Sequence, residues 1–103
     1  MKITKISKKD CERCKLASEF DEEVFLSLFP KSKIEVLFWD LEALENSSFF
    51  EEMSEVYSSK TVILPVYVIE RKNNKTEFLE IDNLNVGKWE LQKNLREIDE
   101  RVS

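Results

Sequence analysis

Two segments of the sequence are apolar at most positions, and they limit the fold more than any other feature. Residues 34–41 (IEVLFWDL) and 61–69 (TVILPVYVI) are rich in β-branched and aromatic side chains, which favour strands. A short apolar run is typical of a strand covered on both faces of its sheet, whereas a membrane-spanning helix requires about 18 apolar residues. No segment reaches that length, so we expect an α/β protein that does not enter a membrane.

The spacing of apolar residues predicts the first strand and the first helix. Residues 1–7 (MKITKIS) have strand-forming side chains. From Cys14 to Leu28 the apolar positions recur at intervals of three and four, and Pro30 ends the pattern. This pattern predicts one amphipathic helix of about 18 residues. Its acidic residues, among them Asp21, are interpreted as the solvent-facing side.

The second half of the chain predicts two more helices and a hairpin. Residues 46–59 indicate a short helix, with Ser48 and Glu51 spaced as a capping box. A polar turn at 71–75 leads into a shorter strand at 76–82, which is expected at a sheet edge. Residues 86–102 have the spacing of a closing amphipathic helix.

These elements follow the order β-α-β-α-β-β-α. The first βαβ unit requires parallel strands, and the final hairpin adds antiparallel ones. The expected fold is therefore a mixed four-stranded sheet with helices on both faces. With 103 residues and neither a linker nor a repeat, the chain is interpreted as a single domain over 1–103.

Composition excludes several classes of function. The formal charge of −5 argues against nucleic acid as a partner, because phosphate binding requires clustered basic residues. A chain without histidine cannot build a Ser-His or Cys-His catalytic pair or the commonest metal sites, and no cofactor is expected. Two cysteines are too few for a disulfide-rich secreted domain, and residues 1–20 lack a signal-peptide pattern. We therefore expect a cytoplasmic protein.

Cys11 and Cys14 form a Cys-x-x-Cys pair where the first strand meets the first helix. Backbone N–H groups at a helix start and nearby cations favour a thiolate and lower the pKa of a cysteine. Cys11, at the helix entrance, is the expected nucleophile. Cys14, one turn further, lies on the same side and can resolve a mixed disulfide.

Two other roles for the pair remain open. A zinc site would require four ligands, so with two cysteines and no histidine it would be shared between two chains or completed by carboxylates. The pair could also be inert within a binding module that catalyses nothing. A purely structural disulfide is a weak explanation, because so short a loop adds little stability.

Pro65 interrupts the second apolar run, where a proline removes a hydrogen-bond donor from the sheet. A cis Leu64–Pro65 bond at the start of the strand would leave the backbone of Leu64 free to pair with an extended substrate. The alternative is a trans proline in a loop before a shorter strand at 66–70.

With these features the sequence resembles the thioredoxin and glutaredoxin superfamily over essentially its whole length. Residues 6–14 (ISKKDCERC) look like the glutaredoxin strand, Ser-Lys and Cys-x-x-Cys pattern, and residues 61–66 resemble the segment with the cis-proline. The resemblance implies a thioredoxin-like fold and reduction of protein disulfides, with Cys11 as nucleophile and Cys14 as resolving cysteine. It also implies that Pro65 lies in the substrate groove.

The resemblance also suggests partners. We expect substrate contacts from Lys8, Arg13, Leu64 and Pro65, disulfide-containing proteins as substrates, and a reductase or glutathione as electron donor to a monomer. Thioredoxins bury an acid six residues before the first cysteine, whereas this chain has Lys5 there. A thioredoxin-style proton relay is therefore not implied.

The residues near the end of the strand predicted over 34–41 have two interpretations. Phe38, Trp39 and Asp40 could place an aromatic side chain and an acid near the cysteines, at the carboxyl edge of the sheet. We favour the simpler interpretation, in which they are core residues and a helix cap.

Overall fold

The computed structural model describes residues 2–71 and 76–102. In chain order the elements are β1 (Lys2–Ser7), α1 (Glu12–Ser18), α2 (Asp21–Leu28), β2 (Ile34–Phe38), α3 (Leu41–Glu45), α4 (Phe50–Val56), β3 (Val66–Glu70), β4 (Thr76–Glu80) and α5 (Gly87–Val102), with a 3₁₀ turn at Leu84–Val86 before α5.

The four strands form one mixed sheet in the order β2-β1-β3-β4. β1 pairs in parallel with β2, with Ile3 opposite Ile34, and antiparallel with β3, with Ile6 opposite Val66. β3 and β4 are antiparallel neighbours, and β4 is an edge strand. The predicted mixed four-stranded sheet is confirmed. The predicted turn falls, apart from Arg71, outside the described residues.

Helices pack against both faces of this sheet. Because side chains alternate along a strand, Tyr67 and Ile69 of β3 belong to one cluster and Val66 and Val68 to the other. The first cluster joins β1 and β3 to α1, α2 and α5; its buried members are Ile3, Ala17, Val24, Phe25, Tyr67, Ile69, Ile81, Leu91, Leu95 and Ile98. The second joins the other face to α3 and α4; its buried members are Ile6, Leu44, Phe49, Met53, Val66 and Val68.

The prediction that the strand at 34–41 is covered on both faces is wrong. β2 ends at Phe38 and lies at the sheet edge, where Val36 and Phe38 are about half exposed. Residues 41–45 form α3 instead of continuing the strand. Apolar composition alone does not reveal that a strand has a neighbour on one side only.

The predicted first helix is two helices. The amides of Glu19 and Phe20 bond three residues back, to Leu16 and Ala17 at 3.2 and 3.1 Å. This tightening ends α1 at Ser18, and α2 begins at Asp21. The apolar spacing continues across the break, so the sequence pattern could not reveal it.

The predicted capping box is also wrong. Phe49 occupies the N-cap position of α4, and its side chain makes no capping hydrogen bond. The Ser48 hydroxyl donates instead to the Glu70 carboxylate of β3 at 2.7 Å. The helix predicted over 46–59 is confined to Phe50–Val56.

The apolar run at 61–69 is only partly a strand. β3 begins at Val66, and the Leu64–Pro65 peptide bond before it is cis, as predicted. Pro65 therefore lies outside the hydrogen-bonded ladder, where its missing N–H costs no strand pairing.

Among the described residues, none of the helices is both long enough and apolar enough to cross a membrane.

Candidate active site

Cys11 and Cys14 are joined by a disulfide, and their Cα atoms are 5.2 Å apart. Cys11 is the N-cap residue of α1 and is partly exposed, whereas Cys14, in the first turn, is only 2% exposed. The backbone N–H of Cys14 donates to Cys11 Sγ at 3.1 Å. Cys11 is thus partly accessible to solvent, whereas Cys14 is covered.

The local chain path explains why Cys11 stands at the helix start. β1 ends at Ser7, and a turn closed by the Cys11 N–H to the Lys8 carbonyl at 3.3 Å leads into α1. Cys11 has extended backbone angles (φ −98°, ψ 105°), and its carbonyl accepts the first helical bond, from Lys15, at 3.2 Å. Its sulfur therefore caps the helix in the way that a serine or aspartate oxygen does.

Arg13, between the two cysteines, contacts two distant segments. Its Nε donates to the Leu64 carbonyl at 3.3 Å, and its Nη2 donates to the Ile81 carbonyl. The guanidinium therefore joins the Cys-x-x-Cys turn to the residues before β3 and after β4. The structure brings Arg13 and Leu64 together, and it adds Ile81, which the sequence had not indicated.

A cavity of about 340 Å³ lies beside this region and is lined by Lys8, Trp39, Thr61, Val62 and Leu64. Two of the expected substrate-contacting residues, Lys8 and Leu64, are in that lining. Pro65 is buried and does not line the cavity.

Trp39 corrects the interpretation of residues 38–40. It is 42% exposed rather than core, and its backbone N–H donates to the Ser7 carbonyl at 2.7 Å. This bond continues the β1–β2 pairing and holds Trp39 next to the start of the cysteine turn. Phe38 is likewise half exposed, and Asp40, at the N-cap position of α3, makes no side-chain capping bond.

A network of buried polar side chains contacts the backbone of Cys14. The sequence had not indicated it. Lys5 Nζ is 2.6 Å from Asp21 Oδ2 and donates to the Cys14 carbonyl at 3.2 Å. The Tyr67 hydroxyl donates to Asp21 at 2.8 Å. Asp21 is 5% exposed, so its assignment to the solvent-facing side of a helix is wrong. A buried acid in an acidic helix has no local signal, because its partners come from β1 and β3.

Burial raises the pKa of Tyr67 far above its usual value, and the adjacent Asp21 carboxylate raises it further. The tyrosine therefore stays protonated at neutral pH and donates its hydrogen bond to Asp21.

No cluster of three or more potential metal ligands occurs within the residues that the structure describes. Comparison with protein-family models, with curated proteins and with solved structures found no match.

Proposed function

We propose that this protein is a thiol–disulfide oxidoreductase with a thioredoxin-like fold. The observation that carries the proposal is the disulfide between a partly exposed Cys11, at a helix start, and a buried Cys14 in the next turn. A reactive thiol needs access, and the N–H of Cys14 that bonds to Cys11 Sγ favours negative charge on that sulfur after reduction.

The sheet supports the thioredoxin-like assignment. A mixed four-stranded sheet with helices on both faces, parallel for β1–β2 and antiparallel for β1–β3 and β3–β4, is compatible with that fold. The cysteine pair follows β1, a central strand, so Cys11 lies beyond the carboxyl end of that strand. α/β proteins bind ligands at this end of their sheets.

The reaction consists of two exchange steps. The Cys11 thiolate attacks a substrate disulfide, forms a mixed disulfide and releases one substrate thiolate. The Cys14 thiolate then attacks Cys11 Sγ, forms the Cys11–Cys14 disulfide and releases the second substrate thiolate. Cys11 and Cys14 each give up a proton to water, and each released substrate thiolate takes one up, so that overall two electrons and two protons pass from the protein to the substrate. A reductase or glutathione supplies the electrons that restore the dithiol.

The substrate is a disulfide in an extended protein segment. Lys8, Trp39 and Leu64 line the cavity beside the cysteine turn, which offers apolar area and one cation to residues flanking the substrate cysteine. Arg13 takes part indirectly, because its bond to the Leu64 carbonyl holds that wall of the cavity against the cysteine turn. The proposal includes a monomer working in the cytoplasm without a cofactor.

Reduction of insulin by dithiothreitol tests the function. Wild-type protein should accelerate the reaction, Cys11→Ser should abolish the acceleration, and Cys14→Ser should form a mixed disulfide that it cannot resolve. If the wild type is no faster than Cys11→Ser, the protein is a binding module rather than an enzyme.

Metal analysis tests the zinc alternative. Protein purified under reducing conditions should hold far less than about half an equivalent of zinc, the content of a four-cysteine site shared by two chains. Half an equivalent that is lost together with dimerisation on chelation would assign the cysteines to a structural metal site.

A further inference from the structure

The ion pair between Lys5 and Asp21 is almost completely buried. Each residue is 5% exposed, and the Lys5 Nζ and Asp21 Oδ2 atoms are 2.6 Å apart. Burying two charges has a large cost in lost hydration, and replacing such a pair with apolar residues is often neutral or stabilising. Stability alone is therefore a weak explanation for placing this pair in the core.

The cation of the pair bonds to the backbone of Cys14. Lys5 Nζ donates to the Cys14 carbonyl at 3.2 Å and to Ser18 Oγ at 2.9 Å, and Ser18 Oγ donates to the same carbonyl at 2.9 Å. The Asp21 carboxylate contacts Lys5 and the Tyr67 hydroxyl. The positive end of the pair is thus the end that bonds to the backbone of Cys14.

We propose that the Lys5 ammonium acts in the second exchange step. It stabilises the negative charge that Cys14 carries when it attacks Cys11 Sγ. This inference rests on the function proposed above. Cys14 is 2% exposed, so water cannot solvate its thiolate well and a nearby protein charge has a large effect. Asp21 and Tyr67 fix the ammonium in place, and Asp21 offsets its charge in the resting protein.

The other charged groups near this network are at its opening to solvent. A cavity of about 460 Å³ between α2 and β2 contacts Lys5 and Asp21, and Glu22 and Lys33 line it as well. Both are exposed and of opposite sign, so solvent screens their charges. On α1 itself, the Arg13 guanidinium bonds to the Leu64 and Ile81 carbonyls. Lys5 is the cation that bonds to the backbone of Cys14.

The test is the pH at which Cys14 ionises in a Cys11→Ser background, where it is the sole cysteine. The Cys14 Cβ chemical shift, followed by NMR, reports the midpoint. Lys5→Met should raise the midpoint by about one pH unit or more, because the neighbouring cation is removed. Asp21→Asn should lower it, because the cation loses its counter-charge. The control Lys33→Met, at the exposed rim of the cavity, should leave it unchanged.

Opposite shifts are the signature of charge, since loosening of the core would move both variants in the same direction. Shifts of the same sign, or no shift in Lys5→Met, would overturn the proposal. If either single variant fails to fold, the double variant Lys5→Met/Asp21→Asn removes both charges; its midpoint should still lie above that of the parent, and an unchanged value refutes the role of Lys5.

The result of the Cys14 titration can be distinguished from the result of the insulin-reduction test. Opposite shifts in a protein that does not reduce insulin would leave the charge effect standing and remove the catalytic role of the pair. Active protein without the shifts would remove only the role of Lys5.

Discussion

The side chain of Arg13, the residue just before the buried cysteine, donates from Nε to the backbone carbonyl of Leu64 at 3.3 Å. The two residues are 51 positions apart in the chain. Through this bond, and a second one to the Ile81 carbonyl, a single side chain joins the cysteine turn to both loops at the same end of the sheet. The cavity wall formed by Leu64 therefore depends on a residue inside the Cys-x-x-Cys motif.

Arg13 should stabilise the protein mainly through its two hydrogen bonds and less through its positive charge. Hydrogen bonds made by a charged donor contribute about 1.5–3 kcal/mol, so Arg13→Met should lower the free energy of unfolding by about that amount. Arg13→Lys keeps the charge but cannot bond to both carbonyls, and it should recover less than half of the loss. Urea unfolding of the oxidised protein measures both variants. Lys15→Met, an exposed position on the same helix, is the control; a loss as large as that of Arg13→Met would contradict the assignment.

The two tryptophans provide a matched pair for testing the cavity. Trp39 lines the cavity with Lys8 and Leu64, whereas Trp89 is on α5 and lines a different one; they are 42% and 62% exposed. If the substrate packs on Trp39, Trp39→Ala should lower kcat/KM for insulin reduction about tenfold, equivalent to ~1.4 kcal/mol. Trp89→Ala should leave it within twofold, a range of about 0.4 kcal/mol. Equal effects would mean that the cavity is not where the substrate binds.

The thiols should differ in reactivity once the disulfide is reduced. Cys11 is partly exposed and accepts a backbone N–H bond, whereas Cys14 is buried. Because alkylation depends on thiolate fraction and access, iodoacetamide near neutral pH should modify Cys11 well before Cys14. Peptide mapping by mass spectrometry identifies the site. In denaturant the difference should disappear, and preferential labelling of Cys14 in the native protein would reverse the assigned roles.

Local features of the sequence were sufficient to locate four strands and the cysteine pair, although not the ends of the strands within 34–41 and 61–69. The strands at 66–70 and 76–80 have strand-forming composition. Cys11 and Cys14 are separated by one helical turn. The strands and the cysteine pair can therefore be predicted from neighbouring residues. Pro65 could be interpreted because a proline in a strand needs a backbone explanation.

Most of the missed features depend on contacts between distant segments, although the break between α1 and α2 is made by local hydrogen bonds. Asp21 is an ordinary surface acid by sequence and becomes buried only because Lys5 and Tyr67 reach it from two strands. Trp39 is expected in the core from its apolar neighbours, but it is exposed because β2 lies at the edge of the sheet. The spacing of apolar residues specifies neither the order of the strands in the sheet nor the packing of a helix against them.

Tyr67 should make the protein less stable at alkaline pH. Burial, and then the charge of Asp21, raise its pKa in the folded state, whereas an unfolded tyrosine ionises near pH 10. Above about pH 10 the unfolded chain therefore binds fewer protons than the folded one, and the free energy of unfolding falls as pH rises. Burial and Glu80 raise the pKa of Tyr57 in the same way, so two tyrosines contribute to this slope.

Tyr67→Phe separates the contribution of Tyr67. The lost hydrogen bond to Asp21 should cost about 1–3 kcal/mol at neutral pH. Above about pH 10 the variant should lose stability less steeply than the wild type, by about 1.4 kcal/mol per pH unit. Urea unfolding of the oxidised proteins between about pH 9 and 11 measures the difference, because the disulfide keeps the cysteines from titrating. Tyr57→Phe is the matched comparison and should reduce the slope without weakening the bond between Tyr67 and Asp21. Parallel stability curves for wild type and Tyr67→Phe would show that Tyr67 ionises equally in both states, contrary to its burial beside a carboxylate.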